Sequence, residues 1–192
     1  MKIGLFFGSF NPIHVGHLII ANHILNEVAI NKLWVIVSPQ NPFKTQESLL
    51  GAYDRLHLAK IATEGDLRIK VSDVEFNLPK PSYTIDTLTY LEEKYPGNIF
   101  SIIMGSDGFQ NLRKWKNFET LIKRHQILIY RRPGFDIVNS LSAHIQIVEA
   151  PLLDISSTEI RKLIANGKSI RYLVPEKVRE EIELGHYYKK KS

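Results

Sequence analysis

No cysteine occurs among the 192 residues. That absence excludes a disulfide framework, a thiolate zinc site and a cysteine nucleophile together, and leaves the compartment open. Long apolar runs are missing as well: no stretch approaches the roughly 18 residues that span a bilayer. The opening MKIGLFFGSF reaches a Gly/Ser turn too early for the apolar segment and cleavage site of a secretory leader. A cytoplasmic chain without membrane contact is the expectation. The excess of one charge sign is small too. The formal net charge is +5, but Lys189, Lys190 and Lys191 of the closing YYKKKS supply three of those charges. The rest of the chain therefore gives weak grounds for a nucleic-acid partner, and none is expected. Two phosphate-binding fingerprints are also absent. No G-x-x-x-x-G-K-[ST] loop occurs, and Gly4, Gly8 and Gly16 have the wrong spacing for G-x-G-x-x-G.

With 44% hydrophobic residues, a chain of this length can bury a full core without covalent staples, and one domain over 1–192 is expected. Apolar runs at Lys2–Phe7, Leu33–Val37, Ile69–Phe76, Ile99–Met104 and Ile127–Tyr130 read as strands. Between them, Leu18, Ala21, Leu25 and Val28 recur at helical spacing, and 52–62 and 84–94 read as further helices. Unbroken apolar runs in β-then-α order predict a doubly wound parallel α/β sandwich, with strands covered on both faces. From about residue 155 the pattern becomes helical. Ser157 and Thr158 open one helix that Asn166 and Gly167 close, and Pro175 opens another. A small C-terminal helical lobe and a basic, solvated tail over 187–192 follow.

In an open parallel sheet, ligands bind beyond the carboxyl ends of the strands. That rule selects three loops: GSFNPIHVGH after the first strand, SPQNPFK after the second and GSDGFQNLRKW after the fourth. Gly8 allows close backbone approach, and the helix behind it offers a positive dipole end. His14 and His17, at i and i+3, can face one side of the turn. As imidazoles they suit phosphate oxygens; a metal pair and plain polar surface are the alternatives, the first weakened by the lack of a third ligand nearby in sequence.

GSFNPIHVGH resembles the H-x-G-H signature of the nucleotidyltransferases. PSYTIDTLTYL (81–91), IIMGSDGFQNLRKW (102–115), YRRPG (130–134) and ISSTEIR (155–161) are similar, in order along the chain, to segments of bacterial nicotinate mononucleotide adenylyltransferases. The resemblance implies a Rossmann-like nucleotidyltransferase fold. It also implies transfer of the adenylyl group of ATP to nicotinate mononucleotide, giving deamido-NAD and pyrophosphate, with Mg²⁺ accompanying the triphosphate.

By the same resemblance, Gly8, Ser9 and Phe10 contact ligands through the backbone, while His14 and His17 bind ATP phosphates and stabilise the transition state. Ser156, Ser157, Thr158 and Arg161 form a second cradle at a helix start; as residue types alone they equally describe an ordinary capped helix. Arg131, Gly105 and Asp107 are assigned to the ATP side. Lys44 is assigned near the reacting phosphates, and Tyr83, Thr84 and Trp115 to the mononucleotide. Arg55 and Asp86 are supporting candidates. One departure stands out: relatives often read P-H-K where this chain has Pro42, Phe43 and Lys44, and a phenylalanine cannot donate to phosphate.

Rival acceptors are phosphopantetheine, nicotinamide mononucleotide and the substrates of cytidylyltransferases. Phosphopantetheine enzymes usually carry threonine at the position of His14, and the PSYTIDT and GSDGFQNLRKW segments speak against cytidylyltransferases. A non-catalytic nucleotide-binding module and a tail-mediated nucleic-acid binder are the readings from other classes.

Overall fold

A computed structural model of the chain describes residues 1–40, 49–151 and 153–189. Its centre is a six-stranded sheet in the order β3-β2-β1-β4-β5-β6. The strands are β1 (Lys2–Gly8), β2 (Lys32–Val37), β3 (Ile69–Ser72), β4 (Ile99–Gly105), β5 (Ile127–Tyr130) and β6 (Ile145–Val148). Every neighbouring pair is parallel, so all six carboxyl ends share one edge. The chain runs outward from β1 through β2 to β3, then returns to the other side of β1 for β4. The gap between β1 and β4 is therefore the topological switch point, where an open α/β sheet leaves a crevice.

Successive strand side chains point to opposite faces, and the two cores divide accordingly. Phe6, Leu33, Val35, Val37 and Leu128 join one core; Ile3, Leu5, Ile36, Ile102 and Ile129 join the other. The first is covered by α1 (Val15–Glu27), α2 (Ala52–Ala62), α6 (Ser157–Ala165) and α7 (Glu176–Leu184), and the second by α3 (Thr84–Lys94), α4 (Ser106–Gln110) and α5 (Phe118–Arg124). Helix periodicity accounts for the match: Ile85, Leu88 and Leu91 fall on one stripe of α3 and are buried. Ile160, Val178 and Ile182 bring α6 and α7 into the same core as α1. Tyr187 and Tyr188 also pack against it, so burial extends into the segment expected as a solvated tail. Lys190–Ser192 lie outside the described residues.

Three expectations change. The strand over 69–76 stops at Ser72, where the Ser72 hydroxyl accepts from Val74 N–H and the carbonyl of Asp73 accepts from Phe76 N–H, closing a 3₁₀ turn over Val74–Asn77. Val74 and Phe76 still alternate, but they pack on opposite cores from that turn. The segment after β4 is helical rather than a loop, in pieces too short to show helical periodicity in the sequence. β6 was not expected: it is a four-residue edge strand whose Ile147 is exposed.

Candidate active site

The loop leaving β1 folds back on itself before α1 begins. Phe10 adopts a left-handed backbone (φ 46°), which costs a residue with a side chain about 1 kcal/mol or more. Its ring is anchored edge-on against Phe6 and His17, at 5.6 and 5.0 Å between centroids. His14 is the N-cap of α1. Its backbone N–H donates to Nδ1 of His17 at 3.2 Å, so the proton of a neutral His17 ring belongs on Nε2. The two imidazoles stack with centroids 3.7 Å apart. A Cβ on residue 16 would come within 3.0 Å of the His14 ring; glycine between the histidines is what lets the first ring lie flat over the helix start. The dipole end is partly engaged, because Val15 N–H donates to the carbonyl of Leu173.

The start of α6 meets this loop across most of the chain. Ser156 caps its own helix by accepting from Glu159 N–H at 3.2 Å. The Ser157 hydroxyl donates to the carbonyl of Pro12 at 2.9 Å. Arg161 donates to the carbonyl of Asn11 at 2.8 Å and reaches Thr158 Oγ1 at 3.4 Å. Beneath them, Arg55 is fully buried. Its guanidinium donates to the carbonyls of Ser9, Ser38, Pro39 and Leu50. It therefore ties the loop after β1 to the loop after β2, and burial lowers its pKa.

Two cavities open at the carboxyl edge. The larger, about 640 Å³, is lined by Gly8, Ser9, Phe10, His14, His17, Arg131, Ser156, Ser157, Thr158 and Arg161, all expected on the ATP side. The smaller, about 240 Å³, holds Tyr83, Thr84 and Trp115, together with Gly105 and Asp107. Those last two were assigned to the ATP side and line the smaller cavity instead. Phe6, Phe7, Gly8, Ser9, Tyr130 and Arg132 belong to both walls, so the cavities meet at the β1/β4 switch point. Lys44, with Pro42 and Phe43, lies outside the described residues.

The YRRPG segment divides in an informative way. The Arg131 guanidinium pairs with Glu149 at 3.0 Å, whereas Arg132 turns into the shared wall. Its backbone N–H donates to the buried Ser106 hydroxyl, and its guanidinium faces Asp107 at 3.7 Å. A Cβ on residue 105 would come within 2.8 Å of Arg132, so glycine there clears its path. Sequence reasoning missed Arg132, and also Lys116, which pairs with Asp86 at 2.8 Å and lies over the Tyr83 ring. The adjacent arginine was the available signal for the first. Of the two supporting candidates, Arg55 is the buried tie between loops and Asp86 pairs with Lys116.

Burial first, and then the positive charge of Arg132, lower the His14 pKa to about 4. Its Nδ1 is buried without a hydrogen-bond partner, so the ring is neutral at physiological pH. Burial also raises the phenol of Tyr130, in the shared wall, to about 12. The edge thus offers a neutral His14 and fixed arginines, with no nucleophile and base in contact among the described residues. Such a set suits holding anions and neutralising developing charge.

Residues 5–163 match the model of the cytidylyltransferase-like family. The chain is 48% identical over 193 residues to a probable nicotinate-nucleotide adenylyltransferase of Flavobacterium psychrophilum, covering 99% of this chain and 100% of that one. It is 49% identical over 191 residues to a protein of the same name from Cytophaga hutchinsonii, with 98% of each covered. A structure of the Plasmodium falciparum nicotinic acid mononucleotide adenylyltransferase complexed with NaAD shares the fold, with a TM-score of 0.83 at 23% identity over 97% of both chains.

Proposed function

We infer the function from the premise that this chain belongs to the cytidylyltransferase-like family and, within it, to the nicotinate-nucleotide adenylyltransferases. It is a nucleotidyltransferase of NAD biosynthesis that joins ATP and nicotinate mononucleotide, releasing pyrophosphate. The observation that carries the reading at the level of the site is the shared wall. Two cavities with different linings meet at the switch point, as a reaction between two nucleotides requires.

An oxygen of the mononucleotide phosphate attacks the α-phosphorus of ATP; the new P–O bond forms as the bond to the β-phosphate oxygen breaks. The nucleophile is already ionised at neutral pH, so catalysis reduces to in-line positioning and charge neutralisation. In our reading, ATP occupies the larger cavity. His17 donates from Nε2, Arg161 and the start of α6 hold phosphates, and Gly8, Ser9 and Phe10 present backbone. His14 supports His17 by stacking and contributes its own ring, while Arg131 borders the nucleotide at the rim. Arg132 stands where the two phosphates meet. Trp115 stacks on the pyridine ring in the smaller cavity, Tyr83 and Thr84 meet the ring carboxylate at the start of α3, and Gly105 and Asp107 face the ribose. Lys44 keeps its proposed phosphate role on sequence grounds.

The divalent ion expected of this family is proposed to be Mg²⁺ carried on the triphosphate. Among the described residues no group of three His, Asp or Glu side chains is placed to hold an ion, which supports delivery with ATP rather than a protein cage. It would supply charge neutralisation on the phosphate oxygens. No helix among the described residues is long and apolar enough to cross a membrane; a cytoplasmic enzyme of one domain acting on small molecules is the accompanying proposal. The test is direct. Purified protein with ATP, Mg²⁺ and nicotinate mononucleotide is expected to release pyrophosphate and form deamido-NAD, and absence of product despite measured binding of both substrates overturns the reading.

A further inference from the structure

The smaller cavity contains a polar cluster that the reaction scheme does not use. Glu75, on the 3₁₀ turn after β3, is 2% exposed and lines this cavity. One carboxyl oxygen, Oε1, accepts from the Thr87 hydroxyl at 2.9 Å. The other, Oε2, is buried without a hydrogen-bond partner, and so is the Ser82 hydroxyl, also on the cavity wall. No side chain caps α3, which starts two residues after Ser82. An uncapped helix start, the Ser82 hydroxyl and a carboxyl oxygen with no well-aligned partner, only the hydroxyls of Ser38 and Ser82 nearby, therefore converge beside Trp115. Buried polar groups are rarely left unmatched in a native protein, and a ligand that supplies the missing partners is a sufficient explanation.

Charge decides what that ligand meets. Among the described residues Glu75 makes no ion pair, although Tyr83, Asp107, Lys116 and Arg132 share its cavity and Asp73 and Asp86 lie on the neighbouring turns. Asp86 is matched by Lys116, and Asp107 by Arg132. A buried carboxyl with no cation beside it favours the protonated form. Burial is the leading cause that raises the Glu75 pKa, outweighing the nearby hydroxyls of Ser38, Thr87 and Ser82.

We propose that Glu75 is a specificity-determining residue of the acceptor site, whose protonated carboxyl donates to the carboxylate on the pyridine ring and so favours an acid over an amide. This rests on the proposed reaction and deepens it. A carboxylate offers acceptors on both sides, one for the Glu75 O–H and one for the N–H groups at the start of α3. An amide offers an acceptor on one side only and sets its NH₂ against a donor on the other, the mismatch that discriminates most strongly. When Glu75 ionises, the preference reverses: the carboxylate meets a negative charge, and the amide NH₂ meets an acceptor.

The experiment compares kcat/KM for nicotinate and nicotinamide mononucleotides as a function of pH, in the native chain, in Glu75→Gln and in Glu75→Ala. Titrations of His14 and of the substrate phosphate affect both acceptors alike and cancel in the ratio. The acid-to-amide ratio is expected to fall as pH rises in the native chain. In Glu75→Gln, whose amide still donates but cannot ionise, the ratio is expected to stay near its acidic-pH value and become independent of pH, whereas in Glu75→Ala, which has no donor, it is expected to be lower by roughly 100-fold at acidic pH. A ratio that is flat with pH in the native chain overturns the proposal even if the variants fail to fold, and so does an unchanged ratio in folded Glu75→Ala. Loss of turnover with both mononucleotides in the native chain instead overturns the reaction itself.

Discussion

In the larger cavity the polar side chains arrive largely engaged, His14 Nδ1 excepted: Arg161 on the carbonyl of Asn11, Ser157 on that of Pro12, Ser156 on its own helix and His17 on the N–H of His14. In the smaller cavity, Glu75 Oε2 and Ser82 Oγ are buried with nothing to bond. The difference follows from the ligands each would receive. A triphosphate carries enough charge to bind a rigid, pre-satisfied frame through further donors on groups such as Arg161 and Ser156, and rigidity is what in-line transfer needs. A pyridine substituent is small, and telling acid from amide takes groups that only the right partner can satisfy.

The largest expected effect tests the engaged frame. His17→Ala should lower kcat by about 10²–10³-fold, as loss of a transition-state donor does, with the thermal melt of the folded protein nearly unchanged. A kcat within a few-fold of native in a pyrophosphate-release assay would mean that the histidine only shapes the loop.

Next in size is a contrast in pH-dependent stability. Folding lowers His14 from 6.5 to about 4, so between those values the unfolded chain binds a proton that the folded chain does not. Stability therefore falls as pH drops from 6.5 toward 4, by up to about 3 kcal/mol, and His14→Asn should flatten that limb. Glu75 has the opposite sign: its folded pKa is raised, so its contribution is present below the usual carboxylate range and is lost as pH rises through the folded value. Glu75→Gln should remove that loss. Urea midpoints across pH would check both, and slopes of the same sign for the two variants would break the contrast.

The smallest effects test whether the cavities divide the substrates. Arg161→Ala should raise KM for ATP roughly 10–100-fold, the worth of a charge-assisted hydrogen bond. Trp115→Ala should raise KM for the mononucleotide about tenfold. Initial-rate measurements with each substrate varied in turn decide this, and equal shifts in both constants would mean one merged site.

Legibility in the sequence followed the range of the interaction. The common side of the two histidines and the capped start of α6 involve residues within four positions of one another, and both were readable; the stacking of the rings and the need for Gly16 between them were not. Arg131 and Arg132 could not be told apart, because the partner that draws Arg131 away, Glu149, follows a strand too short and too exposed to recognise. Arg55 reads in sequence as one more helix residue; only when two loops turn their carbonyls toward it does it become a buried tie. Glu75 was hidden because alternation continued past the real end of β3 and concealed the turn that points its carboxyl inward.

The amino-acid order by itself determined the parallel sheet, since unbroken apolar strands demand cover on both faces, and it determined the histidine pair, since residues three apart on a helix start must be neighbours. Only the tertiary structure decided that Arg161 would reach a carbonyl 150 positions away, that Arg132 rather than Arg131 would stand between the cavities, and that Glu75 would be buried without a cation. Periodicity encodes which way a side chain faces relative to its own backbone; which distant groups it then meets depends on how whole elements pack.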